Sequence, residues 1–508
     1  MQWNELTNEV EAVQISGDRA EALTGVEYDS RRVRPGAVFV AMKGGSTDGN
    51  RYVGKAIAAG AGAVLTDSAE VFDHLLVYQA GLPVMEVEQG RRALAQASSA
   101  FFAHPERKLK TIGITGTNGK TTTAFLTESL LNADARTTLL VGTIEYHVAG
   151  EKWTSSHTTP ESRDLFELMA EGVKRGATEL VTEVSSHALQ QGRVIGVGFD
   201  VAVFTNLTRD HLDYHHTMEE YFAAKRLLVD GSVYPAPRVA IVNAQDEFSR
   251  RFQRAAAVAG AQVWTYGIDC GDWRAEDVRL TPSGAEFVLH SPAGTAALRS
   301  RLVGQVNVLN LLAALAASSA RGVAFETLMA AVPALMPVPG RFQSVDGGQA
   351  FTVIVDYAHT DDALRNLTSL AQAMKGEATH RVITVFGCGG DRDRTKRTRM
   401  GRSAGEGSDL VIATSDNPRS EDPLAILAEV IPGIEASGTE FIVEPDRAGA
   451  IRMALTQAKP GDIVLLAGKG HEKEQIFSDR TIPFDDAAVA LDVLSTLKSG
   501  GDNEADIG

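Results

Sequence analysis

Gly113-Ile-Thr-Gly-Thr-Asn-Gly-Lys-Thr-Thr-Thr123 decides how this chain reads. A short β-branched run, Thr111 to Thr115, enters a glycine turn, and a helix is expected from Thr121 to Leu131. Such a strand–turn–helix offers its backbone N–H groups and the positive end of the helix dipole to an anion, above all phosphate. Lys120 is spaced to reach the outer phosphates, and the Thr121 hydroxyl to hold Mg²⁺. Ile114 stands where the first glycine of the general G-x-x-x-x-G-K-[ST] pattern belongs, which leaves the shorter Gly116-Thr-Asn-Gly-Lys-Thr121.

Outward from the loop, apolar runs again end in polar turns, the pattern of a mostly parallel sheet whose strand ends carry ligands. Strands are expected at Leu180 to Val184, Asp200 to Thr205 and Val239 to Val242, and antiparallel strands over Gln262 to Leu302. Glu183, in Glu183-Val-Ser-Ser-His187, falls at the same sheet edge as the loop, where a carboxylate could ligate metal; without the loop, a Glu at a strand end is more often a surface or capping residue. Asn206-Leu-Thr-Arg-Asp-His-Leu-Asp-Tyr-His215 ends another strand. His211 and His215, four apart, admit a zinc reading, but one His assisting Mg²⁺ fits a phosphate loop better. Lys225 reads by default as a solvated helix lysine.

A helix from Val306 to Ala320 ends near Gly322, and Pro333, Pro337, Pro339 and Gly340 then form a hinge. Beyond it a second strand series is expected at Phe351 to Asp356, Arg381 to Phe386, Leu410 to Thr414 and Asp462 to Ala467. The first hundred residues read as a small α/β unit, with strands at Ala37–Ala41 and Ala63–Leu65 and a helix around Lys55 to Ala61. The boundaries expected are 1–105, 106–338 and 339–498, with a tail, 499–508, that frays.

The 508 residues suit about three folding units. With 44% apolar and 22% charged residues, a disordered chain is excluded. A net charge of -16 disfavours broad binding to nucleic acid or an anionic membrane, so anionic ligands must meet local basic residues. Cys270 and Cys388 cannot frame a disulfide scaffold, and neither a secretory leader nor a membrane span is visible, so a cytoplasmic protein is expected.

The loop, Glu183-Val-Ser-Ser-His, the Asn206 to His215 string, Asp356-Tyr-Ala-His359 and Gly468-Lys-Gly-His-Glu472 together resemble the Mur ligases, in the family's order and over nearly the whole chain. The resemblance implies three α/β domains: an N-terminal uridine-nucleotide module, a central P-loop-type domain with a mostly parallel sheet, and a C-terminal Rossmann-like domain. It implies ATP as co-substrate and two Mg²⁺ ions. The activity implied is amide-bond ligation in peptidoglycan synthesis, joining meso-2,6-diaminopimelate to UDP-N-acetylmuramoyl-L-alanyl-D-glutamate through an acyl phosphate. A monomer is expected.

Residue by residue, the resemblance implies catalytic roles for Lys120, Glu183, His211 and Lys225. Metal ligands would be Thr121, Glu183, His211 and Lys225, the last as a carbamate (N6-carboxylysine). ATP would meet Gly116, Thr117, Asn118, Gly119, Lys120, Thr121, Thr122, Asn307, Arg341, Asp356 and His359, with Asn310 beside Asn307. The uridine nucleotide and its dipeptide would meet Tyr28, Ser30, Gly45, Ser46, Thr47, His157, Thr158, Thr159, Ser185, Gln191 and Arg193, though Arg193 reads equally as a structural ion pair. Diaminopimelate would meet Arg392, Asp416, Asn417, Pro418, Arg419, Gly468 and Glu472. Arg419 can pair bidentately with the distal carboxylate that lysine lacks. The other basic residues between Arg392 and Arg402 read mostly as a solvated face. His157, Asp361 and Thr398 depart from the family pattern. Rival readings are the same ligation with lysine or another diamine, a folate polyglutamylating ligase, a phosphotransferase, and an inactive ATP-binding regulatory protein.

Overall fold

In the computed structural model, residues 1–505 are described except 46, 282, 283 and 378, with side chains described as far as Lys498. The chain forms two compact units, one holding Met1–Leu207, Thr217–Arg274 and Leu311–Leu328, the other Thr208–His216, Ala275–Asn310 and Met329–Gly508.

The first unit contains two sheets. In the smaller, β1 (Gln14–Ser16), β2 (Val26–Glu27), β3 (Val38–Ala41), β4 (Ala63–Thr66) and β5 (Val84–Glu86) are ordered β1-β5-β4-β3-β2, parallel except for β1. β3 and β4 are buried throughout, as strands covered on both faces must be. The helix expected around Lys55 spans Val53–Ala58 and stops before Gly60, whose φ of +94° suits glycine.

The larger sheet is built from β6 (Lys110–Thr115), β7 (Thr138–Val141), β8 (Glu145–Val148), β9 (Glu151–Thr154), β10 (Glu179–Glu183), β11 (Val201–Phe204), β12 (Val239–Asn243) and β13 (Gln262–Ile268). The order is β13-β12-β11-β6-β10-β7-β8-β9, parallel from β13 to β7 and antiparallel through the β8–β9 edge hairpin. The antiparallel expectation fails for β13: the chain leaves β12, crosses in the helix Ser249–Val258 and returns in the same direction. One apolar cluster, including Leu139, Leu180, Phe204 and Phe252, packs this sheet against its helices.

Strands β14 (Trp273–Thr281), β15 (Gly284–Ser291) and β16 (Gly294–Ser300) follow, with β15 and β16 antiparallel. The helix Gln305–Ala320 comes next. In the second unit, β17 (Gln343–Ser344), β18 (Thr352–Asp356), β19 (Val382–Phe386), β20 (Leu410–Ala413), β21 (Glu440–Val443) and β22 (Ile463–Ala467) form the order β17-β18-β22-β19-β20-β21. All pairs are parallel but β17–β18. Separate apolar clusters fill its two faces. A hairpin of β23 (Glu474–Ile476) and β24 (Thr481–Pro483) precedes the helix Asp486–Ala505. Of the tail expected to fray from Ser499, the backbone to Ala505 continues this helix, and 506–508 lie outside the described residues.

Candidate active site

β6 lies between β10 and β11, where the strand order reverses, and the loop after its carboxyl end occupies the crevice that parallel sheets use for ligands. A Cβ on Gly116 would run into the Thr205 hydroxyl, and Gly119 caps the helix Lys120–Ala133 with a left-handed φ of +82°. The loop is pinned to the end of β11. Thr117 N donates to the Asn206 carbonyl (2.8 Å), Asn118 N to Asn206 Oδ1 (2.9 Å), and the Thr205 hydroxyl to the Asn118 carbonyl (2.6 Å). Lys120 Nζ reaches back to the carbonyls of Gly116 and Thr117, each at 2.9 Å.

Glu183, wholly buried at the end of β10, is the hub of the site. Its Oε2 accepts from Thr121 Oγ1 (3.0 Å) and Thr143 Oγ1 (3.1 Å), and its Oε1 from Thr143 N (2.8 Å). Thr143 also bonds Thr158 (3.0 Å) and escaped the sequence reading; its one signal was a Gly-Thr step at a strand end. A carboxylate and a hydroxyl beside a phosphate nest are the hard oxygen ligands that Mg²⁺ takes, completing its shell with phosphate and water. No cluster of three or more His, Cys, Asp or Glu among the described residues forms a cage without phosphate.

Lys225 is 1% exposed, contrary to the solvated default. Its Nζ donates to the Gly116 carbonyl (2.7 Å) and lies 4.6 Å from the centre of the Tyr221 ring, whose hydroxyl bonds Thr117 (3.2 Å). Of the pair behind the zinc alternative, His215 is 1% exposed and the His211 side chain 44% exposed, and neither joins a cluster of three or more metal-capable side chains among the described residues.

His211 belongs to the second unit, has a left-handed φ of +53°, and lies 3.3 Å from Asp210. Burial works against ionisation of Asp210, but the charges of His211, His359 and Lys396 hold its carboxyl below the usual range. Burial pushes His359 down against the pull of Asp210, and its Nδ1 meets the Tyr357 carbonyl (2.9 Å). Arg341 stacks 4.7 Å from the centre of the Tyr357 ring, and Asp356 accepts from Phe342 N (2.7 Å). Asn307 donates to the Val303 carbonyl (2.9 Å) and accepts from Asn310 (3.2 Å), so the two amides orient each other. Asp361 opens the helix Asp361–Met374, with Thr360 as its cap. An acidic residue suits that first turn, which accounts for the departure there.

Asp416, Asn417 and Pro418 follow β20 and are buried; Gly468 follows β22. Gly468 has a φ of +111°, and a Cβ there would press on Asp416. Arg419 sits in the left-handed region at +52° and donates to the Gly390 carbonyl (2.8 Å). Strain of this kind gathers where function dictates the backbone. Arg447, wholly buried, pairs with Asp486 (2.7 and 2.6 Å) and donates to the Ala467 carbonyl (3.0 Å), bracing the end of β22. Arg392 is exposed, whereas Arg397, read as part of a solvated face, is 1% exposed and bonded to Glu421 (2.7 Å) and Glu429 (2.9 Å). Arg394 also pairs with Glu429, so these two arginines share that carboxylate.

In the first unit, the Tyr28 hydroxyl donates to Asp164 (2.8 Å), and Arg32 pairs with the same carboxylate (2.9 Å). Thr159 Oγ1 accepts from Ser185 N (3.1 Å) and donates to the Glu183 carbonyl (2.8 Å). Arg193 binds Gln191 (2.8 Å), the Thr159 carbonyl (3.0 Å) and Glu161 (3.1 Å). It therefore makes the structural ion pair while standing among the expected dipeptide contacts. Ser30 is half-buried, nothing crowds Gly45, Thr47 accepts from Gly44 N (2.8 Å), and His157 is exposed; Ser46 lies outside the described residues.

Family models match most of the chain: the Mur ligase family catalytic domain over residues 22–102, the Mur ligase middle domain over 114–318, and the Mur ligase glutamate ligase domain over 340–470. The chain is 48% identical over 473 residues to the UDP-N-acetylmuramoyl-L-alanyl-D-glutamate--2,6-diaminopimelate ligase of Solibacter usitatus, covering 93% of each chain. It belongs to the Mur ligase family. The ligase of the same name from Geobacillus kaustophilus is 45% identical, covering 92% of this chain and 94% of its own. A solved structure of a ligase with that name superposes with a TM-score of 0.69 at 32% identity, covering 98% of this Mur ligase and 99% of the other. No helix among the described residues is long and apolar enough to cross a membrane.

Proposed function

We propose that this chain is an ATP-dependent ligase joining meso-2,6-diaminopimelate to the D-glutamyl γ-carboxylate of UDP-N-acetylmuramoyl-L-alanyl-D-glutamate, in the cytoplasm and as a monomer. One observation carries the reading: the hydroxyl of Thr121, at the mouth of a phosphate loop, lies 3.0 Å from the buried carboxylate of Glu183. The similarity over the full chain to ligases of that name supports the choice of substrates.

A carboxylate is a poor electrophile because its charge repels a nucleophile. Its oxygen therefore attacks the γ-phosphorus of ATP, ADP leaves, the amine nitrogen attacks the acyl carbon, and phosphate departs as the amide forms and the amine loses its proton. Bound Mg²⁺, two ions in this reading, neutralises the converging phosphate and carboxylate charges. Thr121, Glu183, His211 and the carbamate of Lys225 would hold it. The backbone of Gly116 to Gly119 cradles the phosphates while Lys120 opposes their charge. Asn307, Arg341, Asp356 and His359 engage the nucleotide. Tyr28, Ser30, Gly45 to Thr47, His157 to Thr159, Ser185, Gln191 and Arg193 hold the uridine nucleotide and dipeptide. The bound amino acid meets Arg392, Asp416 to Arg419, Gly468 and Glu472. The domain boundaries 1–105, 106–338 and 339–498 assign one domain to each substrate.

The enzyme is incubated with ATP, Mg²⁺ and the UDP-muramoyl-dipeptide, and with diaminopimelate or lysine separately. Amide product and free phosphate with diaminopimelate are expected. Transfer of lysine alone would overturn the substrate, a stable phosphorylated product would make the chain a phosphotransferase, and no phosphate release would make it a regulatory protein. For the carbamate, Lys225→Ala should lose activity and regain part of it with added short-chain carboxylates; wild-type rates in both conditions exclude the modification.

A further inference from the structure

Lys469 is wholly buried between two glycines after β22, yet its ammonium is satisfied. Nζ donates to Asn417 Oδ1 (3.1 Å), Glu472 Oε2 (3.1 Å) and the Glu474 carbonyl (2.6 Å), which uses all three of its N–H groups, and Asp416 Oδ1 lies 3.8 Å away. Asn417 Oδ1 also accepts from Ile476 N (3.0 Å). With its oxygen held by two donors, Asn417 must present its nitrogen to Glu472, and Nδ2 donates to Oε2 at 2.7 Å. Glu472 Oε2 is thus occupied twice. Oε1 carries no hydrogen bond among the described residues, and the side chain remains 29% exposed.

We infer that Lys469, too deeply buried to meet substrate, is the positioning residue that aims Glu472 Oε1 at an ammonium group of the incoming diamino acid. The inference rests on the amino-acid pocket proposed above. Two donors fix one oxygen of the carboxylate and leave the other as an oriented acceptor of negative charge, while Arg419 offers the complementary cation for a carboxylate. A diamino dicarboxylate presents both partners. Mono-amino acids lack the second ammonium and gain nothing from an oriented Glu472, so Lys469 acts on the choice of amino acid and leaves ATP alone.

Lys469→Met keeps the length of the stem and removes the three donors. Its KM for diaminopimelate should rise about tenfold or more, the scale of a hydrogen bond to a charged group. The KM values for ATP and the UDP-muramoyl-dipeptide should stay within about twofold, and kcat at saturating diaminopimelate should be largely kept. A parallel rise in all three KM values, or an unchanged KM for diaminopimelate, overturns the inference. The double variant Lys469→Met/Glu472→Gln, which removes the Glu472 charge together with its partner and leaves Asp416 to Arg447 if the single variant does not fold, should match Glu472→Gln alone; a further rise in KM shows that Lys469 acts by another route. Wild-type enzyme assayed alongside separates the two readings. Failure of wild type to ligate diaminopimelate removes the proposed function, whereas ligation by wild type with unaltered variants removes only the role of Lys469.

Discussion

Glu183→Gln would place an amide where three donors from Thr121 and Thr143 now converge. It removes the negative charge and turns one accepting oxygen into a donor facing other donors. Phosphate release should fall on the order of a hundredfold or more, in step with weaker Mg²⁺ dependence measured by metal titration. Arg419→Ala should raise the KM for diaminopimelate roughly tenfold to a hundredfold, the worth of a hydrogen bond to a charged group, with the KM for ATP unmoved. The two positions differ in how readable they were. Glu183 stood at a strand end in the sequence, and only the loop beside it made a ligand plausible. Lys469 lay inside a quoted motif and received no role, because burial and the orientation of Asn417 arise from folding and leave no trace in spacing. Thr143 was missed for the same reason.

At the scale of elements, the parallel strands announced themselves, since a strand buried on both faces reads as a near-continuous apolar run, as in Ile463–Ala467 and in Val382–Phe386, whose one polar residue, Thr384, bonds Ser408 (2.7 Å). Short edge strands such as Gln14–Ser16 and Glu151–Thr154 are largely exposed, carry no such run, and passed unnoticed. The direction of β13 was misread because Thr and Ser richness suggests a hairpin, whereas the preceding helix dictates a crossover. The helices Arg397–Glu406 and Pro423–Glu435 meet through glycine: a Cβ on Gly401 would strike the Val430 carbonyl, and one on Gly433 the Thr398 carbonyl. Gly433→Ala should therefore destabilise by about 1–3 kcal/mol through overpacking, measured by chemical denaturation against the exposed control Glu435→Ala. Arg397 rides on the first of these helices and bonds the Gly389 carbonyl (3.2 Å), so the variant should also weaken binding of the amino acid.

For the whole molecule, one ionic contact in each unit should respond to pH in the direction opposite to the other. In the first, burial works against protonation of His147, but its bonds to Glu128 (2.6 Å) and Glu145 (2.9 Å) prevail and raise it above its ordinary 6.5. A raised histidine stabilises fully below that value, and its contribution is lost as pH climbs through the raised one. In the second, the bonds from Arg397 and from Asp391 N hold Glu421 at about 2, against an ordinary 4.5. Its contribution is present above 4.5 and is lost as pH falls toward 2. Hydrogen exchange, corrected for intrinsic rates, should show segment 138–148 losing protection on the alkaline side and 389–430 on the acid side. Loss of both at one end would refute the assignment, and His147→Gln should flatten only the alkaline response. The ion pair between Arg447 and Asp486 also bears on the order in which this protein is made. Its partners are 39 residues apart, and the five parallel strands of the C-terminal sheet are all synthesised before Asp486. A sheet that closed before Asp486 was in place would bury the guanidinium with the Ala467 carbonyl but without its carboxylate partner, so stable burial of Arg447 waits for the helix Asp486–Ala505.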